Sequence, residues 1–260
     1  MELHLNKKVV VITGGGSGIG RAAAKAFAQE GCYVAICGRR EEKLTQVKNE
    51  LALLGYEIMT ASADVTDYSA MCEFADAVEK KYGGIDIWVN NAASNQMKSL
   101  MDYSVAEFKS MVDTVLVSVF SGCQIAAQHM KNGGVILNAS SFSAVIPNAG
   151  RAPYSACKAA ILSLTRTFAA ELAKREIRVV AYVPGTFETE ITRKNIEKNR
   201  AKKLAQTPLR RFGQPEECAG LLTFLASDCA GYINGTAVEI TGGKFCVQNP
   251  QYAYEENGRQ

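Results

Sequence analysis

Residues 9–20 read VVVITGGGSGIG. Val9 to Ile12 is β-branched throughout and lacks the polar alternation of a half-buried strand, so it suits a strand covered on both faces, as in a parallel sheet. Thr13 and a glycine-rich turn follow at once, and Ala22, Ala23, Ala24, Ala26 and Phe27 then mark a helical stretch. Strand, glycine-rich turn and helix in this order build a phosphate site. The glycines let the backbone approach the ligand, and the helix N-terminus offers N–H groups that have no partner inside the helix. The placement between strand and helix makes the motif specific, which a lone glycine-rich loop would not be.

The next element outward decides which dinucleotide the turn would serve. Tyr33 to Cys37 reads as a second strand, with Gly38, Arg39 and Arg40 just past its end. In a dinucleotide fold this point faces the adenosine ribose, where an acid binds a 2′-hydroxyl and an arginine suits a 2′-phosphate. The first acid is Glu41, so the expected cofactor is NADP(H), with NAD(H) the alternative. Arg39 is the expected main phosphate ligand. Arg40 is a second candidate or an ordinary solvated loop arginine.

The rest of the chain keeps alternating. Helical patterns cover 41–54, 67–82, 105–130, 153–174, 188–204 and 215–227, and strand patterns cover 57–61, 85–89, 135–137, 177–183 and 237–240. Strands alternating with helices argue a parallel sheet with right-handed crossovers. No internal repeat or low-complexity linker interrupts the chain, so one domain is expected, with a mobile helical substrate lid over 186–210 and a polar tail over 249–260.

The stretch 141–158, SFSAVIPNAGRAPYSACK, ends in Tyr154 and Lys158, one helical turn apart on one face. A free tyrosine, with a pKa of about 10, does not readily trade a proton near neutral pH. A nearby ammonium favours the phenolate and lowers that pKa, so the pair reads as a tuned general acid/base. Ser141 could hydrogen-bond the reacting oxygen. Of the ten tyrosines, only Tyr154 has a lysine four residues on; one chance pairing of this kind is near even odds, so the pair gains meaning only from its surroundings.

Composition bounds the rest. The chain has 260 residues, 47% hydrophobic and 21% charged, with a net charge of +3. That suits one well-buried α/β domain and gives no reason to expect a nucleic-acid partner. Eight cysteines include no C-x-x-C pair, and they read as reduced, buried thiols of a cytoplasmic protein. With only His4 and His129 a histidine metal site is not expected; His129 is expected to cap a helix C-terminus. MELHLNKKVV lacks a signal-peptide core, no apolar run is expected to reach the length of a membrane span, and a soluble protein with no membrane partner follows as the expectation.

Together these residues resemble the short-chain dehydrogenase/reductase family over nearly the whole chain. The likeness rests on TGGGSGIG at 13–20, DV at 64–65, NNA at 90–92, SS at 140–141, Tyr154 and Lys158, PG at 184–185 and FLASD at 224–228. It implies a doubly wound Rossmann-like α/β fold with a seven-stranded parallel sheet, and hydride transfer between a nicotinamide and a carbonyl or alcohol carbon. Tyr154 would be the acid/base, Lys158 would lower its pKa and hold the nicotinamide ribose, and Ser141 would orient the substrate oxygen. Gly14, Ser17, Gly18, Ile19 and Gly20 would lie along the diphosphate. Asp64 and Val65 would flank the adenine, Asn91 would lie near a ribose, and Pro184, Phe187 and Thr189 would border the nicotinamide. The resemblance also implies a homotetramer or homodimer paired through the helices at 105–130 and 153–174.

Two positions depart from the family pattern. Val115 stands where many members have an asparagine that helps hold a water joining the lysine to solvent. Val115→Asn is therefore expected to raise turnover if that path is broken, unless Thr114 or Ser118 already serves it. Ala93 stands where a glycine is usual, and its methyl would narrow the approach to the cofactor. Three functions follow as candidates: an NADP(H) oxidoreductase for a small or lipid-like carbonyl or secondary alcohol, an enoyl- or dienoyl-thioester reductase, and a weakly catalytic nucleotide-binding regulator. The run NPQYAYEENGRQ and the segment before Tyr154 are loosely similar to bacterial hydroxysteroid dehydrogenases. The substrate pocket is expected from 94–101, 142–153 and 186–210, a mixture of apolar and basic residues.

Overall fold

The computed structural model describes residues 2–131 and 133–254. Seven parallel strands form one sheet in the order β3-β2-β1-β4-β5-β6-β7: β1 (Val9–Thr13), β2 (Tyr33–Gly38), β3 (Ile58–Ser62), β4 (Ile87–Asn90), β5 (Gly134–Ala139), β6 (Ile177–Pro184) and β7 (Ala237–Ile240). Successive residues of β1 feed opposite cores. Val10 and Ile12 join one cluster with Phe27 and Leu222, while Val9 and Val11 join the other with Trp88 and Phe74. That two-sided burial is why the strand lacks polar alternation.

Among the described residues eight α-helices accompany the sheet: α1 (Gly18–Gln29), α2 (Glu41–Ala52), α3 (Tyr68–Tyr82), α4 (Val105–Val112), α5 (Ser118–His129), α6 (Ala152–Leu172), α7 (Arg193–Ala205) and α8 (Pro215–Ala226). Strand order reverses between β1 and β4, and the crevice beyond their C-terminal ends is where ligands bind in such sheets.

Several expectations are corrected. The helix read as continuous over 105–130 is two helices joined by a π-helical turn, Asp113–Val117, and Val115 in that turn is fully buried in the core. By length and composition alone the same stretch, Val105–His129, could cross a membrane, contrary to the sequence reading, because 18 consecutive residues within it have mean hydropathy 1.4. Half of those 18 residues are buried, in the core cluster that holds Trp88 and Ile161. The lid is helical only from Arg193, and it kinks at Asn199. Before it, residues 187–192 form a tight turn in which the Thr192 hydroxyl accepts from Thr189 N at 2.9 Å. All eight cysteines are free, but Cys229 and Cys246 are exposed and Cys72 is partly so. His129 does end α5, its ring nitrogens 2.9 Å from the Ile125 carbonyl and 2.9 Å from Asp76. Of the expected tail, Pro250–Tyr254 forms a short 3-10 turn and the Tyr254 hydroxyl donates to the Pro208 carbonyl at 2.7 Å; residues 255–260 lie outside the described part.

Candidate active site

The glycine turn is built by close approach. Gly14 has φ +66°, and a Cβ there would lie 2.9 Å from the Ala92 Cα. Gly20 lets α1 settle on the turn, since its Cβ would lie 2.3 Å from the Gly14 carbonyl oxygen. Asn91 fastens the crevice. Its amide donates to the Thr13 and Gly14 carbonyls at 3.1 and 3.3 Å, while the Thr13 hydroxyl accepts from Asn91 N and Ala92 N at 3.0 Å each. The Tyr182 hydroxyl donates to Asn91 Oδ1 at 3.2 Å. Asn91 is thus committed to holding β4 against the turn.

A cleft of about 710 Å³ opens over these strand ends, well within the range of about 300–1,000 Å³ typical of ligand sites. Its wall includes Gly14, Ser17, Gly18, Ile19, Arg39, Arg40, Asp64, Val65, Asn91, Ser141, Tyr154, Lys158, Pro184, Phe187 and Thr189. Gly20 alone of the expected residues is not on it; its contribution is the packing just described. Phe187 is on the wall, yet its side chain is almost wholly buried in the core.

The N-terminus of α1 fits a dinucleotide diphosphate. Ser17 makes no side-chain cap and the first turn holds no acid, so the N–H groups left over by helix geometry face the cleft uncontested. Arg40 departs from the solvated reading, and Arg39 does not. Arg39 is well exposed, 3.9 Å from Asp64. Arg40 is not simply solvated: it bonds Glu190 at 3.2 Å and the Ser17 hydroxyl at 3.4 Å, which ties the β2–α2 corner to the turn ahead of α7.

At the other end, β5 runs into Ser140 and Ser141, and Pro153 in the first turn of α6 starts the helix that carries Tyr154 and Lys158. Ser140 Oγ donates to the Lys158 carbonyl at 2.9 Å, fastening α6 to the end of β5. Ser141 Oγ accepts from Ser143 N at 3.1 Å, which leaves its hydroxyl proton free for another oxygen. Burial holds the Tyr154 phenol above its ordinary pKa, with the Ser141 hydroxyl and the Arg151 charge pulling it down. Lys158 is fully buried, donates to the Ala139 carbonyl at 2.6 Å, and lies 5.7 Å from the Tyr154 ring centre. Burial pushes its pKa down to about 8. Lys158 is not among the groups that shift the phenol here; its ammonium donates to the Ala139 carbonyl instead.

Of the wall residues, Tyr182 was not expected; Thr114 was named only for the water path, and Arg151, Glu190 and Lys203 fall inside the expected pocket segments without being singled out there. Arg151 stands within the quoted 141–158 stretch, but nothing in a local pattern distinguishes a wall arginine from a solvated one. Thr114 lines the cleft where Val115 does not, and the Ser118 hydroxyl is spent on the Thr114 carbonyl at 2.7 Å. Ala93 is on the wall as expected.

A family model described as enoyl-(acyl carrier protein) reductase matches residues 14–244. The chain is 38% identical over 243 residues to the 3-oxoacyl-(acyl-carrier-protein) reductase FabG of Thermotoga maritima, covering 93% of this chain and 99% of that one. It is 37% identical over 253 residues to a probable 2,4-dienoyl-CoA reductase of Bacillus subtilis, covering 95% and 100%. A short-chain type dehydrogenase/reductase from Mycobacterium marinum superposes with a TM-score of 0.91 at 34% identity, covering 95% and 98%. A seven-stranded doubly wound sheet with this cleft at its switch point defines a Rossmann-like nucleotide-binding protein. The chain belongs to the short-chain dehydrogenase/reductase family, oxidoreductases that use nicotinamide cofactors.

Proposed function

We propose that this protein is an NADP(H)-dependent oxidoreductase that interconverts a carbonyl and a secondary alcohol. The observation that carries the reading is the convergence of Ser141, Tyr154 and Lys158 on one wall of the cleft whose far end holds the glycine turn. Bound there, the cofactor would supply or accept the hydride. The turn and the N-terminus of α1 would hold its diphosphate through Gly14, Ser17, Gly18 and Ile19. Asp64 and Val65 would flank the adenine, and Pro184, Phe187 and Thr189 would border the nicotinamide. Arg39 and Arg40, with no carboxylate at the end of β2, favour a 2′-phosphate, for which Arg40 would exchange its bond to Glu190.

Tyr154 would give a proton to the substrate oxygen in reduction and take it back in oxidation, and Ser141 would hold that oxygen with its free hydroxyl proton. A phenol kept protonated by burial is already in the form reduction needs at neutral pH. Oxidation needs the phenolate and should quicken as pH rises. Lys158 would meet the nicotinamide ribose, and Thr114 is the side chain on the wall best suited to hold a water in place of the missing asparagine.

A second reading, reduction of an enoyl or dienoyl thioester, is favoured by the description of the matching family model, by the Bacillus relative and by Val115. The test is NADPH oxidation, and NADH oxidation beside it, with panels of ketones and enoyl thioesters. Turnover on ketones supports the first reading. Turnover on enoyl thioesters alone replaces it with the second, and NADPH binding without turnover on either panel leaves a nucleotide-binding regulator.

We also propose that the protein forms a homodimer or homotetramer through α4, α5 and α6, where Val105, Phe108, Val117 and Phe120 stand exposed. Eight free thiols favour a reducing, cytoplasmic setting.

A further inference from the structure

The charged side chains on the cleft wall separate by position. Arg39 faces Asp64 and Arg40 faces Glu190 at the adenosine end, and these are the only carboxylates on the wall among the described residues. Among the described residues, the charged side chains at the end that holds Tyr154 are cations. Arg151 and Lys203 both line it, and among the described residues neither enters an ion pair with a carboxylate. Lys244 stands close behind, its ammonium 3.1 Å from Gln206 Oε1 and 5.0 Å from the centre of the Phe142 ring, which itself lines the cleft.

These three charges feel one another. The Lys203 ammonium is held below its ordinary value by burial first, then by Arg151 and Lys244. Like charges gathered in a part-buried site without a counter-ion are unfavourable, and a bound anion offsets that cost.

Distance from the reacting centre narrows the ligand. Arg151 caps α6 one turn before Tyr154 and both side chains line the cleft, so an anion held by Arg151 falls near the oxygen that Tyr154 would protonate. The phosphates of a pantetheine thioester are a full pantetheine arm away from the acyl carbonyl and do not meet that condition.

We propose that Arg151 and Lys203, with Lys244 behind them, form an anion subsite that selects a ketone or secondary alcohol bearing its own carboxylate or phosphate a few bonds from the reacting carbon. The proposal rests on the carbonyl/alcohol reading above, so binding and turnover are measured separately. Calorimetry on the NADP⁺-loaded protein, where a ketone cannot be reduced, would titrate 4-oxopentanoate, its methyl ester and hydroxyacetone phosphate. At least one of the two anions is expected to bind about tenfold or more tighter than the ester, the margin of a charge-assisted contact. The tighter of the two names the group. Arg151→Gln and Lys203→Gln should each remove most of that margin, and Lys203→Arg should restore it, with unchanged melting temperatures excluding misfolding. Ester binding as tight as both anions, no binding of either anion, or a margin untouched in both glutamine variants overturns the subsite. The same ketones with NADPH then test the chemistry: anion binding without turnover of any ketone sinks the carbonyl reading and leaves the subsite standing.

Discussion

Tyr154 and Lys158 are adjacent on α6 yet live under opposite pressures. Burial raises the phenol and lowers the ammonium, the latter to about 8. For Tyr154→Phe we expect NADPH affinity to stay near the parent value and turnover to fall by about 10²–10⁴-fold, the usual worth of a general acid; turnover within a few-fold of the parent would remove the acid/base role. Lys158 carries a stability consequence with a definite sign. Its folded pKa lies below its unfolded one, so the unfolded chain binds more protons between about pH 8 and 10.5. The penalty is present in full below that window and is relieved as pH rises through it. A Lys158→Met variant should therefore lose turnover, and the parent should gain stability relative to it as pH climbs from 7 to 10, by up to about 3 kcal/mol. Chemical denaturation at several pH values would reveal it; a gap that does not change with pH would deny the buried charge. At the far end of the cleft, Arg39→Ala should weaken NADPH more than NADH by about tenfold, one charge-assisted contact, and equal losses for the two cofactors would defeat the 2′-phosphate assignment.

The π-helical turn between α4 and α5 is the element where local reading failed most plainly. The sequence pattern over 105–130 is apolar and helical without a proline or glycine to mark a break before Gly122. An inserted π turn is invisible to such a pattern, because it changes the hydrogen-bond spacing rather than the residue types. Its effect is to rotate Thr114 onto the cleft wall and Val115 into the core. The expectation that Val115→Asn raises turnover is thereby reversed. An asparagine placed there buries an amide among Trp88, Ile161 and their neighbours, and we expect a loss of stability of about 1–3 kcal/mol with no gain in rate. Melting curves beside steady-state assays would decide it; faster turnover at unchanged stability would return the water path to that position.

At the scale of the whole molecule, the exposed face of α4 and α5 is the unfinished surface. Val105 and Phe120 remain 72% and 41% exposed, so intrachain packing, the plainer account of this apolar stretch, does not cover them. Phe120→Asp should shift a dimer or tetramer toward monomer in light scattering, with activity retained to the extent that each cleft is complete in one chain; an unchanged mass would place the interface elsewhere. The strand and helix order, the two-sided burial of β1 and the glycine turn were legible from residue types alone. That Arg151 and Lys203 share one wall was not, although both lie in segments expected to form the pocket, since they are 52 residues apart and nothing in either neighbourhood announces the other.

What the sequence determined by itself was the alternation of buried strands with amphipathic helices, the phosphate turn at 13–20, and the tyrosine–lysine pair on one helical face, because each is a matter of local periodicity or backbone freedom. What only the tertiary structure decided was the environment of each group: a phenol raised by burial, a lysine turned to the Ala139 carbonyl, Arg40 bound to Glu190, and Arg151 and Lys203 on the wall that holds Tyr154 without a carboxylate partner among the described residues. Electrostatic fields and desolvation depend on what surrounds a side chain in space, and chain order carries no direct record of that.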